Sequence, residues 1–305
     1  MLRCAKNRMS SDRIPAAIGL RLLAMLCVVA MGLLGKLAQA RGAALGEILF
    51  FRQAASIPLT AALAAAGPGL AGFRTKRLPA HAGRAAVGLL GMVMLFTSLD
   101  LLPLAEATTL QFTVPIFATI LGALLLGEPT GWHRWVAVLT GFAGVLIVAQ
   151  PGGGHFPLWG TLAGLAYGLI TSVVSILLRS IGRTEAPLTT VFWFATLSMV
   201  VLVPWYLLDY RAHPWPVWAM LIGLGVLGTF GQLGLTGSLK LAPVSVVVPM
   251  DYSSLIWATL LGFLVFGTTP GISTLIGAPV IVGSGLYIVW REHVRPRAET
   301  DRLVD

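Results

Sequence analysis

The stretch SLDLLPLAEATTLQ at residues 98–111 is answered by SLKLAPVSVVVPMD at residues 238–251, 140 positions further along the chain. Ser, Leu, Leu and Pro hold their places, while Asp100 becomes Lys240, Glu106 becomes Val246 and Gln111 becomes Asp251. Extending the comparison without a gap, 88–127 against 228–267 gives 14 identities in 40: Gly88, Gly91, Leu95, Ser98, Leu99, Leu101, Pro103, Ile116, Ala118, Thr119, Leu121, Gly122, Leu124 and Gly127 each match the residue 140 later. An apolar composition yields some leucine matches by chance. Glycine and proline in register are harder to obtain that way, so the chain repeats itself.

The repeat sits in a membrane protein. Of 305 residues, 56% are hydrophobic and 11% charged, with a mean hydropathy of +0.85, whereas a soluble domain carries about 25% charged residues. Ten segments have the roughly 17 to 25 residues that a bilayer crossing needs: 17–40, 45–66, 84–101, 104–126, 131–149, 157–178, 188–207, 216–238, 242–266 and 271–290. The first follows Arg3, Lys6, Arg8 and Arg13 and ends in Ala38-Gln39-Ala40, which resembles a signal-peptidase site. It is too long for a signal h-region of about 7–15 residues and contains Lys36, so it reads as a retained span.

With the N-terminus inside, alternate loops place Arg74, Lys76, Arg77, Arg84, Arg134, Arg179, Arg183, Lys240 and the tail arginines in the cytoplasm, and only Arg41 and Arg211 opposite. This follows the positive-inside rule and puts both termini on the cytoplasmic side of a bacterial inner membrane. A repeat unit of five spans, an odd number, inverts the second copy. Asp100 against Lys240 is then an exchange between an outward and an inward hairpin. The expected organisation is a cytoplasmic segment 1–16, two five-helix halves over 17–150 and 151–291, and a tail over 292–305.

The segment at 102–152 resembles EamA-type transporters of the drug/metabolite transporter superfamily. The pieces are the Pro103 turn, the helix with Pro115, the GE-x(5)-R element of Gly127, Glu128 and Arg134, and Gly141, Gly144, Val145 and Ile147. The second half repeats them loosely through Gly262, Gly267, Gly283 and Gly285, but GTTPG lacks the Glu and the basic residue. The resemblance implies an all-α fold of ten transmembrane helices and a transporter of small organic solutes. Members handle amino acids, nucleosides, S-adenosylmethionine, riboflavin, metallophores and drugs, in either direction.

Ionisable residues inside a bilayer are expensive and point to function. Asp251 leads, about ten residues into its span and two after Pro249, whose missing N–H loosens the helix. Tyr252, Ser253, Ser254 and Trp257 follow it. Gln111 is its counterpart in the first half, and both should face one cavity. Glu106, two or three residues from the outer surface, reads equally as a transport residue or a solvated carboxylate. Arg52, seven residues into its span, needs a partner from another helix: Glu106 or an anionic group of the solute. Lys36 reads as a snorkelling anchor. Gln232, Tyr167, Thr171, Ser172, Ser175 and Trp193 are further candidates for the lining, suited to a flat or amphipathic solute.

Gly225, Gly228, Gly231, Gly234 and Gly237 recur every three residues, which serves close helix packing or a hinge, with Pro115 and Pro249 as further hinge candidates. Asp251 is the candidate proton carrier, with uniport or exchange as the alternative. The histidines, His81, His133, His155, His213 and His293, fall in expected loops or the tail, far apart, so no metal is expected, and no cofactor. Nucleotide-driven transport lacks a GxxxxGK[ST] motif, a membrane enzyme lacks a catalytic cluster, and the basic residues form no stripe for nucleic acid. The expected partners are a small-molecule solute, the lipid bilayer and protons; monomer and homodimer both remain open.

Overall fold

The computed structural model describes residues 13–67, 69–125, 132–149, 157–182, 184–241 and 248–301. Among these the chain is helical, without a strand. In order come α1 (Arg13–Ala40), α2a (Leu45–Ala54), α2b (Ser56–Ala65), the short 3-10 turn η1 (Leu70–Phe73) and α3 (Leu78–Leu101). Then follow α4a (Leu104–Gln111), α4b (Val114–Leu125), α5 (Trp132–Ala149) and α6 (Leu158–Ile181). The second half continues with α7 (Pro187–Asp209), α8 (Trp215–Leu241), the 3-10 turn η2 (Val248–Tyr252), α9 (Ser253–Phe266) and α10 (Ile272–Asp301). Among the described residues seven helical crossings are long and apolar enough to span a membrane by themselves, and three shorter apolar helices make up the ten.

Three crossings expected to be continuous are interrupted. Pro58 offers no N–H to the Ala54 carbonyl and Pro115 none to the Gln111 carbonyl, and the helices break at Ala55 and at Phe112–Thr113. The break in the ninth crossing falls between Tyr252 and Ser253, at the repeat equivalent of Phe112–Thr113. Asp251 therefore lies in a 3-10 turn at the head of α9, not ten residues into a continuous helix. Pro79 in the first turn starts the third crossing six residues earlier than expected. Arg84 and His81, expected in loops, consequently lie inside α3 and are buried.

The helices pair as an inverted repeat requires. α1 packs on α8 and, in the equivalent pairing, α6 packs on α3. α5 packs on α10 and α2a on α7, pairs that map onto themselves under the exchange of halves. The shared glycines now have a reason. A Cβ on Gly91 would press Ile170 of α6 at 3.2 Å, and one on its mate Gly231 would meet Val28 of α1 at 2.8 Å. The stripe on α8 continues with Gly234, 2.8 Å from the Ala24 Cβ, and Gly228 against the Arg52 side chain. Small residues let two backbones approach in a medium where burial of apolar surface gives no drive.

Charged side chains tie the face opposite the start of α1. Lys36 Nζ donates to the carbonyls of Leu99 at 2.6 Å and Leu102 at 2.8 Å, so it caps the C-terminus of α3. Glu47 is fully buried; its Oε2 accepts from Ala44 N and lies 2.8 Å from His213 Nε2, and its Oε1 accepts from Arg211 N. The α7–α8 connection is thereby pinned to the head of α2a. Glu128 of the GE-x(5)-R element lies outside the described residues, as does the side chain of Arg134.

Overpacking a close helix contact costs about 1–3 kcal/mol. Gly231→Leu should therefore lower the thermal unfolding midpoint of the detergent-purified protein. Gly83→Ala, whose Cβ would meet nothing within 4 Å, should raise it or leave it unchanged. Equal midpoints for both variants would contradict the packing role.

Candidate solute cavity

The breaks at Phe112–Thr113 and at Tyr252–Ser253 meet at the centre. Phe112 and Tyr252 are repeat mates, and their rings touch each other with centroids 4.8 Å apart. Beside them opens a cavity of about 470 Å³ between α1, α3, α4a, α6, α8 and η2. Gln111 and Asp251 both line it, with Tyr167, Thr171 and Ser175 from α6, Gln232 and Thr236 from α8, and Tyr252. The residue before each break is thus presented to the same space, an amide from one half and a carboxylate from the other.

Asp251 has a partner that the sequence reading passed over. Arg21 Nε donates to Oδ1 and Nη2 to Oδ2, both at 2.6 Å, a bidentate fork across 230 residues. The Arg21 Nη1 donates to the Leu235 carbonyl at 2.9 Å and to Ser238 Oγ at 3.3 Å. Both line the cavity, and the Arg21 side chain is 7% exposed against 31% for Asp251, so the carboxylate is the more accessible member. The Asp251 carbonyl accepts from Ser254 Oγ at 2.6 Å, which steadies the turn. The Tyr252 hydroxyl is buried in the cavity wall without a hydrogen-bond partner.

Glu106 and Arg52 are not paired. Glu106 Oε1 accepts from Gly271 N and Thr274 Oγ1, each at 3.4 Å, at the N-terminus of α10, where the helix dipole favours a carboxylate. At 3% exposure it is not solvated, and it does not line the cavity. Arg52 Nη1 donates to Gln53 Oε1 and to Ser56 Oγ, each at 3.3 Å. Trp257 stands away from the lining, its Nε1–H buried and without an acceptor. Trp193, also expected at the cavity, instead donates to the Phe73 carbonyl at 2.8 Å. Among the described residues no group of three His, Cys, Asp or Glu gathers as metal ligands would.

Inverted five-helix halves around an internal polar cavity define a membrane transporter. A profile of the EamA-like transporter family matches residues 15–150 and 158–290, and the chain belongs to that family. The chain is 30% identical to the riboflavin transporter of Vibrio cholerae, over 74% of this chain and 76% of that one. It is 28% identical to an S-adenosylmethionine uptake transporter of Rickettsia bellii, over 72% and 75%. It is 25% identical to a pseudopaline exporter of Pseudomonas aeruginosa, over 86% and 92%. A solved crystal structure shares the fold, with a TM-score of 0.59 at 22% identity, covering 89% of this chain and 95% of that one. The chain is a multi-pass transporter of small metabolites, not an enzyme.

Hydrogen bonds to charged groups contribute about 1.5–3 kcal/mol. Arg21→Met and Asp251→Asn should each lower unfolding stability in detergent by that order. The double variant should cost less than the two together, because the second change removes the group left unpaired by the first. Additive losses would contradict the pair.

Proposed function

We propose that this protein is a secondary transporter that moves a small organic solute through the central cavity by alternating access. One observation carries the reading: Gln111 and Asp251, equivalent in the two inverted halves, line one cavity. Its volume lies in the range of about 300–1,000 Å³ typical of organic-ligand sites. Two amides, a carboxylate and two phenols suit an amphipathic solute of the riboflavin or S-adenosylmethionine kind better than a bare ion. The positive-inside bias supports a bacterial inner membrane with both termini cytoplasmic. On that orientation the Lys36 and Glu106 ties close the outer face, and the Arg21–Asp251 pair bridges α1 to η2 nearer the inner one.

The paired helix breaks, at Phe112–Thr113 ahead of Pro115 and at Tyr252–Ser253 beyond Pro249, are the natural joints for rocking one half against the other. The glycines Gly228, Gly231 and Gly234 provide the close α1–α8 contact that moves as a unit. Proton coupling enters through Asp251: a solute or water reaching the carboxylate competes with Arg21 for it, so protonation and pair opening are linked. Export uses the same cavity, and the relative that exports pseudopaline supports that direction as the second reading.

Purified protein in liposomes tests this. Uptake or counterflow of riboflavin or S-adenosylmethionine should be saturable, and an imposed pH gradient should drive accumulation. Equal rates with and without the gradient contradict proton coupling. Asp251→Asn should still exchange solute across the membrane yet fail to concentrate it; unchanged accumulation would remove Asp251 from the coupling step.

A further inference from the structure

A second polar cluster lies behind the cavity wall. Arg52 of α2a is 8% exposed, Arg84 of α3 is 6% exposed, and His81, one turn before Arg84, is fully buried. Both arginines meet the same stretch of α7: Gln53, which accepts from Arg52, donates to Ser198 Oγ at 3.2 Å, and Ser198 donates to the carbonyl of Phe194, whose ring carries the Arg84 guanidinium. A guanidinium does not shed its proton in a protein, so two of them are buried together as cations. Burying a charge is tolerated where it is paired, and among the described residues neither arginine has a carboxylate partner.

The hydrogen bonds on hand do not make up the deficit. Arg52 is held by the neutral oxygens of Gln53 and Ser56. Arg84 Nε and Nη1 are buried without any acceptor, and so are both ring nitrogens of His81. The Arg84 guanidinium carbon lies 3.6 Å above the centre of the Phe194 ring, a weaker attraction than a counter-charge supplies. Glu185, on the α6–α7 connection, accepts from Thr75 with its Oε1 and forms no ion pair with Arg84 or Arg52.

The fold makes room for these cations. Gly88 and Gly228, identical between the halves, each border one of them. A Cβ on Gly88 would stand 2.9 Å from Arg84 Nη1, and one on Gly228 would run into Arg52 Nε. The cluster also adjoins the solute cavity. Met31, a residue that lines the cavity, shares the Gly228 notch with Arg52.

We propose that Arg52 and Arg84, with His81 beside them, form a buried oxyanion site that takes the carboxylate or phosphate group of the transported solute. Met31 lies between Arg52 and the cavity, and the planar forks of two arginines suit an oxyanion. The inference rests on the transporter reading above. It assigns the solute class as an organic anion or zwitterion, whose other end faces Gln111 and Asp251.

The test uses thermal unfolding of the purified full chain in chloride-free detergent buffer, titrated with sodium phosphate and with sodium acetate. Wild type and the exposed control Arg74→Gln should be stabilised saturably. Arg52→Gln and Arg84→Gln should need at least about tenfold more anion for half effect, the loss of one or more charged hydrogen bonds. No saturation in wild type, or the same response in all four proteins, overturns the site. Should a glutamine variant fail to fold, the conservative Arg52→Lys and Arg84→Lys take its place. In wild type, phosphate should also change the fluorescence of Trp193, whose ring centroid is 6.5 Å from that of His81; no difference from Trp193→Phe counts against the site.

A competition arm separates the source of the anion. Stabilisation by S-adenosylmethionine, which carries a carboxylate, should weaken in saturating phosphate and in Arg84→Gln. Stabilisation untouched by both overturns the assignment to the solute and leaves a site for free inorganic anion. Transport by wild-type liposomes without a phosphate response fails this inference alone. A phosphate response without transport fails the transporter reading alone.

Discussion

A charge inside an apolar slab must be answered by another group, and this constraint organises the protein. Water is absent to solvate it, so each buried ion either finds a partner or marks a place where a ligand comes and goes. Lys36 answers to the carbonyls at the end of α3 and Glu106 to the amide end of α10. Glu47 gathers a histidine and two backbone amides. These three fasten helix ends. Asp251 answers to Arg21, but at the edge of a cavity, where a competing partner has access to it. Among the described residues Arg84 lies against an aromatic face and has no carboxylate partner.

The inverted repeat explains why these groups fall where they do. Both halves use the same backbone plan: a broken crossing at the centre, and a glycine-lined helix packed on the first helix of the other half. Phe112 and Tyr252 meet because they are the same position in two copies facing each other. The chemistry has diverged on that shared frame. The residue before the break is an amide in one copy and a carboxylate in the other, so the pseudo-symmetric cavity has an asymmetric lining. Bulky apolar residues keep the frame packed, and the exchange of Gln111 for Asp251 falls on the cavity lining.

Much of the fold was legible in the sequence because ten apolar segments and an odd repeat unit admit few arrangements. Gln111, Asp251, Tyr167 and Gln232 were legible as cavity residues for the same reason: a polar group deep in an apolar run has few places to go. Arg21 was not. It stands early in the first span, where a cation ordinarily reaches the headgroups, and its partner is 230 residues away. The Arg52–Glu106 pairing failed because depth in the bilayer was matched without the azimuth around each helix, and helix rotation is set by packing. Arg84 and His81 were assigned to a loop because hydropathy places the span edge at the first charge, whereas Pro79 starts the helix a turn and a half earlier. The breaks at Ala55 and Phe112 follow from prolines, yet the positions of those breaks relative to the cavity required the tertiary structure.

The central claim is that solute occupies the space between the two broken crossings. Cysteine protection tests it most directly, in a chain with Cys4 and Cys27 replaced by serine and a single cysteine introduced at Thr171, in the lining, or at Leu146, on the exposed surface of α5. The account predicts that a stabilising solute, riboflavin or S-adenosylmethionine, slows maleimide labelling at Thr171→Cys and leaves Leu146→Cys unchanged. Labelling at Thr171→Cys that is indifferent to saturating solute would contradict it.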